Sequence, residues 1–294
     1  MKILNLGSLN LDRVYQVEHF VKGQETISAQ SYSENAGGKG LNQSIALARA
    51  GARVTHLGAV GQDGRWLCDL MAENGVDVHL VETAEGASGH AVIQLVQGQN
   101  CILVYGGANQ KISTDQVKRA LAECEAGDVL LLQNETSSVP EAIRMAKEKD
   151  MTVAFNASPI TDGMSAYPMD QVDLFFVNEG EGMVLAGTDS TDPEQVLDAL
   201  RKKYDAGVVL TLGGEGAYYQ DRDVRLYQPA FSVPVVDTTG AGDTFTGYFL
   251  ANLHQGAAQA LRIAAAAGAL AVGTRGAAPG IPTAGQVAAF LAKQ

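Results

Sequence analysis

The chain has few of the residues on which disulfides, zinc sites and nucleic-acid surfaces depend. Its 294 residues include only three cysteines, with no C-x-x-C pair, and five histidines, with no H-E-x-x-H pattern. A disulfide framework and an all-protein zinc site are therefore not expected, and the thiols favour a reducing, cytoplasmic compartment. Lysine and arginine number 21 against 33 acidic residues, which gives a formal net charge of −12. Nucleic acids and anionic membranes need a basic surface, so neither is an expected partner.

Long hydrophobic runs are also missing. No segment reaches the roughly 18 uninterrupted apolar residues that a membrane-spanning helix needs. The apolar run from Met1 to Gly7 is too short for a signal peptide and is predicted to form the first strand. The content of 46% hydrophobic and 18% charged residues is typical of a globular protein.

Short β-branched or leucine-rich runs alternate with helical patterns through most of the chain. This alternation predicts an α/β fold, with a mostly parallel central sheet, helices on both faces, and ligands at the carboxyl ends of the strands. The predicted strands are Ile3–Leu6, Arg53–Val60, Val129–Gln133, Thr152–Asn156, Leu174–Asn178, Val208–Leu212 and Phe231–Val236. The predicted helices are Leu41–Ala50, Arg65–Asn74, Thr114–Glu125, Val139–Lys149, Pro193–Tyr204, Asp243–Leu253, Ala257–Val272 and Thr283–Ala292.

Two segments, residues 11–35 and 88–108, interrupt the alternation. Both are strand-like, carry glycine-containing turns and have no helical pattern between their strands. Within a single domain spanning residues 1–294, they predict a small separate sheet that projects from the core and closes over a site or pairs with another subunit. The alternative is two ordinary hairpins at the edge of the main sheet.

The segment Asp237–Gly247 reads D-T-T-G-A-G-D-T-F-T-G and is predicted to turn from a strand into a helix. Small residues at Gly240, Ala241 and Gly242 allow backbone N–H groups at a helix N-terminus to approach an anion closely. Asp243 in the same turn would repel a phosphate, but it suits a base that takes the proton from a hydroxyl attacking that phosphate. The alternative is an acidic residue favourably placed in the first turn of an ordinary helix.

Other phosphate-binding loops are absent from the sequence. Gly37-Gly-Lys-Gly40 has a glycine where a Walker loop needs a magnesium-binding hydroxyl, and Phe245 stands where a dinucleotide fingerprint needs a third small residue. Phosphate must therefore be bound in another way.

Polar residues also collect near strand ends in the first half of the chain. Each of them could be a turn residue or a helix cap. Together they supply acceptors, amide donors and one cation where an α/β sheet binds ligands, which suits a polyhydroxy compound. They are Asn10, Asp12, Gly37, Gly38, Lys39, Asn42 and Glu135.

These motifs resemble those of the ribokinase-like (pfkB-type) carbohydrate kinases in order and spacing. The resemblance runs from about Leu4 to Phe290, and the segments 37–42 and 237–247 are the two by which this family is identified. The matching motifs are Asn10-x-Asp12, Gly37-Gly-Lys-Gly-x-Asn42, Asn178-Glu-x-Glu181, Thr211-Leu-Gly-Gly214 with Gly216, and Asp237-Thr-x-Gly-Ala-Gly-Asp243.

The resemblance implies a Rossmann-type sheet with a β-sheet lid, and ATP-dependent phosphorylation of a sugar's primary hydroxyl, with D-ribose giving D-ribose 5-phosphate. Asp243 would be the general base, and Gly240, Ala241 and Gly242 would form an anion hole. Glu181 would help to order Mg²⁺ through water. The sugar would be held by Asn10, Asp12, Gly38, Lys39, Asn42 and Glu135, and ATP by Asn178, Thr211, Gly213 and Gly216. On the residues alone, Asn178 and Glu181 are predicted to lie in a solvated surface loop.

Family members of this type are also activated by a monovalent cation, usually K⁺. The matching positions include Gly280, where the ribose-specific members have a serine hydroxyl, so K⁺ activation is an open question for this chain. The full cation set would be Asp237, Thr239, Ala271, Thr274, Gly276 and Gly280. A second departure lies in the lid strand, which is apolar towards the sugar in the family. Here it reads Ser88-Gly-His-Ala-Val-Ile-Gln94, and Gln94 is predicted to add a polar sugar contact or to face solvent.

Two other functions stay open on the sequence alone. The same fold and chemistry could act on another acceptor, such as 2-deoxyribose, another sugar or a nucleoside. A non-catalytic protein that binds sugar or nucleotide on a kinase fold is disfavoured by the presence of Asp243, the small-residue turn and Lys39. The resemblance further implies a homodimer formed through the lid.

Overall fold

The structure is a computed structural model that describes residues 1–294. Its strands are β1 (Ile3–Leu6), β2 (Asn10–Gln16), β3 (Ser31–Gly37), β4 (Val54–Val60), β5 (Asp77–Thr83), β6 (Gly89–Val96), β7 (Gln99–Tyr105), β8 (Val129–Gln133), β9 (Thr152–Asn156), β10 (Leu174–Asn178), β11 (Gly207–Thr211), β12 (Gly216–Gln220) and β13 (Arg225–Pro229). Its helices are α1 (Lys39–Arg49), α2 (Arg65–Glu73), α3 (Thr114–Ala122), α4 (Val139–Lys147), α5 (Glu179–Ala186), α6 (Pro193–Lys203), α7 (Ala241–Asn252), α8 (Ala257–Ala271), α9 (Ala277–Gly280) and α10 (Ala284–Leu291). None of these helices is long and apolar enough to cross a membrane.

Nine strands form the central sheet, in the order β13-β12-β11-β10-β9-β8-β1-β4-β5. The strands from β11 to β5 are parallel, and the β12–β13 hairpin adds two antiparallel strands at one edge. Side chains alternate along each strand, so the sheet separates two hydrophobic cores. In β1, Ile3 belongs to the core on the α1, α7 and α8 side, whereas Leu4 belongs to the core on the α3 to α6 side. The predicted doubly covered, mostly parallel sheet is confirmed.

A second sheet of four strands, β3-β2-β6-β7, is separate from the central one. Its outer pairs are antiparallel, and its central pair, β2 with β6, is parallel. The strands come from the two segments that interrupt the α/β alternation. They therefore form one sheet, and the alternative of two edge hairpins on the central sheet is wrong.

The predicted strand Phe231–Val236 is absent. The run is irregular, with Val235 and Val236 65% and 62% exposed, and it is fixed to the end of α8 by a bond from the Val236 N–H to the Val272 carbonyl (2.8 Å). β13 already forms the sheet edge and ends at Pro229, and Pro234 has no N–H to donate to a ladder. The turn before α7 therefore follows a loop and not a strand.

Helix α7 lies at the centre of the molecule. Every residue from Asp243 to Asn252 is buried, so the helix has no polar stripe. An added Cβ at Gly247 would lie 2.5 Å from the Ala46 Cβ and 2.9 Å from the Leu47 nitrogen. Only glycine allows this close approach, which brings the start of α7 beside the start of α1.

Candidate active site

Two helix N-termini meet above the carboxyl ends of the central strands. Helix α1 begins at Lys39 and helix α7 at Ala241. Asn42 and Asp243, which are 201 residues apart in the chain, are joined by a bond from the Asn42 Nδ2 to the Asp243 Oδ2 (3.0 Å). The Gln43 Nε2 donates to the other carboxylate oxygen, Oδ1 (2.9 Å). The side chain of Asp243 is therefore held from both oxygens.

Asp243 is only 9% exposed. Burial raises the pKa of its carboxyl, and the charge of Glu135 acts in the same direction. The Lys39 charge and the two amide hydrogen bonds oppose this rise. A carboxylate with a raised pKa that still has cationic and amide partners has the properties of a general base.

A cleft of about 150 Å³ opens beside Asp243. It joins the α7 turn to the ends of β10 and β11, which is where ligands bind in open α/β sheets. Of the predicted site residues, it is lined by Lys39, Asn178, Glu181, Thr211, Gly240, Gly242 and Asp243. Residues not predicted from the sequence also line it, namely Asn156, Ser158, Phe176, Val177 and Thr246.

Lys39 is the cation of this cleft. Burial alone would lower the pKa of its ammonium group, but the charges of Asp243, Glu135 and Glu181 raise it. Lys39 therefore stays protonated among three carboxylates and can neutralise negative charge on a ligand between them.

Glu135 is fixed at the N-terminus of α1. Its Oε2 accepts from the Lys39 backbone N–H (3.1 Å) and from the Ser8 hydroxyl, and Ser8 Oγ in turn accepts from the Gly40 N–H (3.3 Å). The helix dipole favours a carboxylate at this position. Asp12 lies near by, and burial together with the Glu135 charge raises the pKa of Asp12 to about 6. Two carboxyl groups close together, one of them poorly solvated, can accept hydrogen bonds from the hydroxyl groups of a ligand.

Replacing Asp12 with asparagine should stabilise the ligand-free protein at neutral pH. The folded-state pKa of about 6 lies above the ordinary aspartate value of 3.8, so the folded state binds more protons than the unfolded state between these values. Ionised Asp12 therefore reduces stability progressively as the pH rises through this range. We expect Asp12→Asn to melt at a higher temperature than the wild type at pH 7.5, with a smaller gain at pH 5, in paired thermal denaturation curves. An equal gain at both pH values would contradict the assigned pKa.

Amide side chains also belong to the part of the site that contains Asp12 and Glu135. Asn10 is buried, and its Oδ1 accepts from the Nδ2 of Asn109 (2.8 Å), which also donates to the Leu9 carbonyl. The Oδ1 of Asn42 is buried without a hydrogen-bond partner. A buried acceptor without a partner is costly, and a ligand hydroxyl would satisfy it. Gly38 precedes α1, and its carbonyl accepts from the Asn42 N–H (3.1 Å).

Gly240 caps α7 with a φ of 76°, which favours glycine, and an added Cβ would lie 2.7 Å from the Ala277 Cβ. The Ala241 N–H is bonded to the Thr238 carbonyl at 3.3 Å, whereas the N–H groups of Gly242 and Asp243 have no backbone partner. These two N–H groups lie at the positive end of the helix dipole, where they can bind an anion.

Asn178 is exposed, as predicted, but the prediction of a loop is wrong, because Asn178 and Glu181 begin helix α5. The Asn178 Oδ1 accepts from the Glu181 N–H (2.9 Å), and the Glu181 Oε2 accepts from the Asn178 N–H (3.0 Å), which is a capping box. This reciprocal pair fixes both side chains at the cleft. Thr211 ends β11, Gly213 lies in the turn that follows it, and Gly216 begins β12.

The predicted cation residues come together beneath the α7 turn. Asp237 accepts from the Gly276 N–H (2.8 Å) and, through its other oxygen, from the N–H (3.0 Å) and hydroxyl (2.7 Å) of Thr239. Burial alone would raise the pKa of Asp237, but these bonds lower it. An added Cβ at Gly280 would lie 2.9 Å from the Ala271 carbonyl oxygen and 3.6 Å from that of Thr274. A carboxylate and backbone carbonyls are oxygen ligands of the kind that suit a hard cation.

The prediction that Gln94 contacts the ligand is corrected. Strand register places Asn10 and Asp12 on the same face of the small sheet as Gly89, Ala91 and Ile93. Gln94 lies on the opposite face, because side chains alternate, and its Oε1 accepts from the Val21 N–H (3.0 Å). The residues of β6 that share a face with Asp12 are thus small or apolar.

Three residues that were not predicted from the sequence hold predicted site residues in place, namely Gln43, Ser8 and Asn109. A signal was present for Gln43, because Asn42, Gln43 and Ser44 are three consecutive polar residues at the buried start of a helix that is otherwise largely apolar.

The site combines a buried carboxylate, a cation and a helix N-terminus at the carboxyl ends of the strands of a doubly covered sheet. These features indicate a phosphotransferase that acts on an alcohol group. Comparison with known proteins agrees, because the model of the pfkB family carbohydrate kinases matches residues 1–284. The chain belongs to this family.

A ribokinase of Haemophilus influenzae is 34% identical over 297 residues, which cover 97% of each chain. A deoxyribokinase of Salmonella typhi is 31% identical over 264 residues, covering 85% of this chain and 84% of that protein. The structure of Arabidopsis thaliana ribokinase complexed with ribose and ATP is similar with a TM-score of 0.83 and 31% identity, covering 99% of this chain and 98% of that one.

Proposed function

We propose that this carbohydrate kinase transfers the γ-phosphoryl group of ATP to the primary hydroxyl of D-ribose, giving D-ribose 5-phosphate. The observation that carries the proposal is the position of Asp243, a buried carboxylate held by two amides between the polar cluster of Asp12 and Glu135 and the cleft at the α7 turn. The relatives named ribokinase and the ribose complex of one of them support this choice of sugar.

The two halves of the site would have different roles, one in binding the sugar and the other in transferring the phosphoryl group. The sugar hydroxyls would donate to Asp12, Glu135 and the unpartnered Asn42 Oδ1 and would accept from Lys39, with Asn10 and Gly38 completing the pocket. Asp243 would take the proton of the attacking hydroxyl. The free N–H groups of Gly242 and Asp243 and the ammonium group of Lys39 would stabilise the charge that spreads over the transferring group. The small sheet would act as a lid that excludes water during transfer.

ATP would lie along the cleft that ends at Asn178 and Thr211, with Gly213 and Gly216 shaping its far end. Glu181 fits a role in ordering Mg²⁺ through water, because Mg²⁺ retains water and uses few protein carboxylates beside phosphates. When bound, the ion would neutralise phosphate charge. No cluster of three or more His, Cys, Asp or Glu side chains that could hold a metal occurs in the structure, and Glu181 would therefore share the ion with phosphate and water.

We also propose that two segments, the loop at Asp237 and the segment from Ala271 to Gly280, bind K⁺ together through carbonyl oxygens. An added Cβ at Gly280 would lie only 2.9 Å from the Ala271 carbonyl, so glycine lets this part of the chain lie close to the carbonyls proposed as ligands. Because the Gly276 N–H donates to Asp237 and Gly240 packs on Ala277, cation binding would steady the anion hole. We therefore expect K⁺ to raise kcat relative to tetramethylammonium at equal ionic strength.

An ADP-release assay with Mg·ATP tests the sugar and the cation together. The panel comprises ribose, 2-deoxyribose, fructose, ketodeoxygluconate and common nucleosides, each with and without K⁺. We expect ribose to give the highest kcat/KM. A clear preference for 2-deoxyribose would favour the second candidate, which the deoxyribokinase relative supports. No ADP release with any acceptor would overturn the proposed activity.

We propose that the chain forms a homodimer through the lid and works in the cytoplasm, where its thiols stay reduced. The lid face opposite Asp12 carries the tilted aromatic pairs Tyr15–Tyr32 (5.0 Å) and His90–Tyr105 (5.1 Å). Strand β7 is exposed along its whole length, and an uncovered apolar edge of this kind is typical of an association surface.

Leu103 lies on this face and is 70% exposed. Leu103→Glu should convert the dimer to a monomer, because it would bury a charge in the interface, and light scattering after size exclusion would measure the mass. Val184→Glu is the matched control, since Val184 is 63% exposed but lies on α5. A Leu103→Glu variant that stays dimeric would place the interface elsewhere, and a monomeric wild type would rule out the dimer.

A further inference from the structure

Gln43 is a fully buried amide that contacts the proposed base but not the cleft. Its exposed fraction is 0%, its Nε2 donates to the Asp243 Oδ1 (2.9 Å), and its Oε1 accepts from the Gln133 Nε2 (2.7 Å). Gln43 does not line the cleft. Any effect on the reaction would therefore pass through Asp243.

The orientation of Gln43 is set from below by two strands of the central sheet. The Gln133 Nε2, at the end of β8, also donates to the Asn5 Oδ1 in β1 (2.9 Å). The Asn5 Nδ2 donates to the Gly40 carbonyl (2.9 Å). A backbone carbonyl can only accept, so it fixes which end of the Asn5 amide points towards α1 and which towards Gln133.

The network ends at a neutral histidine. The Asn5 Nδ2 also donates to the Ser44 Oγ (2.8 Å), and Ser44 lies 2.8 Å from the His56 Nδ1. Burial lowers the pKa of His56 to about 4, and its Nε2 faces the Gly7 carbonyl at 3.1 Å. His56 therefore donates through Nε2 to Gly7, and the Ser44 hydroxyl donates to Nδ1.

All the donors in this network are thus ordered in one direction. Reversing the Gln43 amide would bring two acceptor oxygens together at Asp243 and two donors together at Gln133. The carbonyls of Gly7 and Gly40 oppose this reversal from the far end. The network therefore keeps a hydrogen-bond donor on one oxygen of Asp243. The charged groups that act on this carboxylate are Lys39 and Glu135.

We propose that Gln43, oriented by Gln133 and Asn5, is a positioning residue that holds the Asp243 carboxylate ionised and directed at the attacking hydroxyl. This inference rests on the proposed function, since it concerns the base of that reaction. The network lies on the α1 and α7 face of β4, β1 and β8, so these three strands position the base through Gln43.

Two variants test the role of Gln43. Gln43→Leu removes the donor to Asp243, and Gln43→Glu replaces it with a carboxylate at nearly the same volume. Both changes disfavour ionised Asp243. We expect kcat for the best sugar acceptor to fall about 10-fold to 100-fold, with the KM for ATP nearly unchanged. The acid limb of the kcat profile should move upwards by about one pH unit, and further in Gln43→Glu than in Gln43→Leu.

Gln116→Leu is the matched control. Gln116 is also buried, and its Nε2 donates to the Gly58 and Leu80 carbonyls without contacting Asp243. Loss of stability in this control should leave the acid limb where it is in the wild type. A purely structural role of Gln43 would likewise lower the active fraction without moving that limb.

The outcomes separate this inference from the proposed function. An inactive wild type would overturn the function itself. An active wild type whose folded Gln43 variants keep the normal kcat and acid limb would overturn only the role of Gln43. If neither Gln43 variant folds, the network serves the core and not the base, and that result also overturns the inference.

Discussion

Replacing Asp243 with asparagine is expected to lower kcat by about two to four orders of magnitude. Asparagine can keep one of the two contacts that Asp243 makes with Asn42 and Gln43, but it cannot accept the proton of the attacking hydroxyl. The anion hole and Lys39 remain, so residual turnover should be measurable above the uncatalysed rate. The measurement is single-turnover and steady-state phosphorylation of the best acceptor.

Binding and folding controls decide how this result is interpreted. Calorimetric titration with Mg·ATP should give an affinity close to that of the wild type, because the substitution leaves the cleft backbone in place. Asp192→Asn is the matched substitution, since Asp192 caps α6 through its side chain and asparagine caps a helix equally well. It should leave kcat unchanged. Near-normal turnover in Asp243→Asn would remove Asp243 from the role of base.

Replacing Lys39 with methionine should lower kcat/KM for the sugar by about two to three orders of magnitude, the loss that follows removal of one donor to developing charge. The substitution keeps the length of the side chain but leaves Asp243, Glu135 and Glu181 without the cation between them. The pKa of Asp243 should therefore rise, and the acid limb of the kcat/KM profile should move to higher pH.

Lys147→Met is the control for Lys39. Lys147 pairs with Asp173 at 2.8 Å, at the start of β10 and so at the sheet edge opposite the cleft. Its loss should change stability slightly and leave the pH profile unchanged. If Lys39→Met retains kcat/KM within a few fold of the wild type, the charge that spreads during transfer must be neutralised by other groups.

The order of the central elements could be predicted from the sequence because hydrophobic periodicity and helix starts are local signals. The buried runs of β1 and β8 and the helix after Ser113 follow directly from such patterns. The run Phe231–Val236 has the same local pattern but no strand beside it with which to pair. Pairing is a tertiary property, and composition alone does not reveal it.

Some residues of the candidate site can likewise be predicted from local patterns, whereas others depend on tertiary structure. Asp243 and Lys39 were predictable, because their chemistry is evident beside small residues in a short motif. The side on which Gln94 lies depends on the register of β6 with β2, and shifting that register by one residue reverses it. The Asn178–Glu181 pair was visible as a capping pattern, but the two glycines in α5 conceal the helix. Gln43 itself has a local signal, but its partners Gln133 and Asn5 lie far from it in the chain, so no local pattern predicts the network.

The 201-residue separation between Asn42 and Asp243 also affects how the protein is made. A ribosome adds about 5 to 20 residues per second, so about 10 to 40 s pass between synthesis of the two sides of the base. During that interval the binding residues near α1 exist without the helix that covers them, and the apolar surface that will receive α7 is open to water or to a chaperone. Nascent chains released before α7 should therefore be inactive and prone to aggregation, and the appearance of activity would mark the last stage of folding.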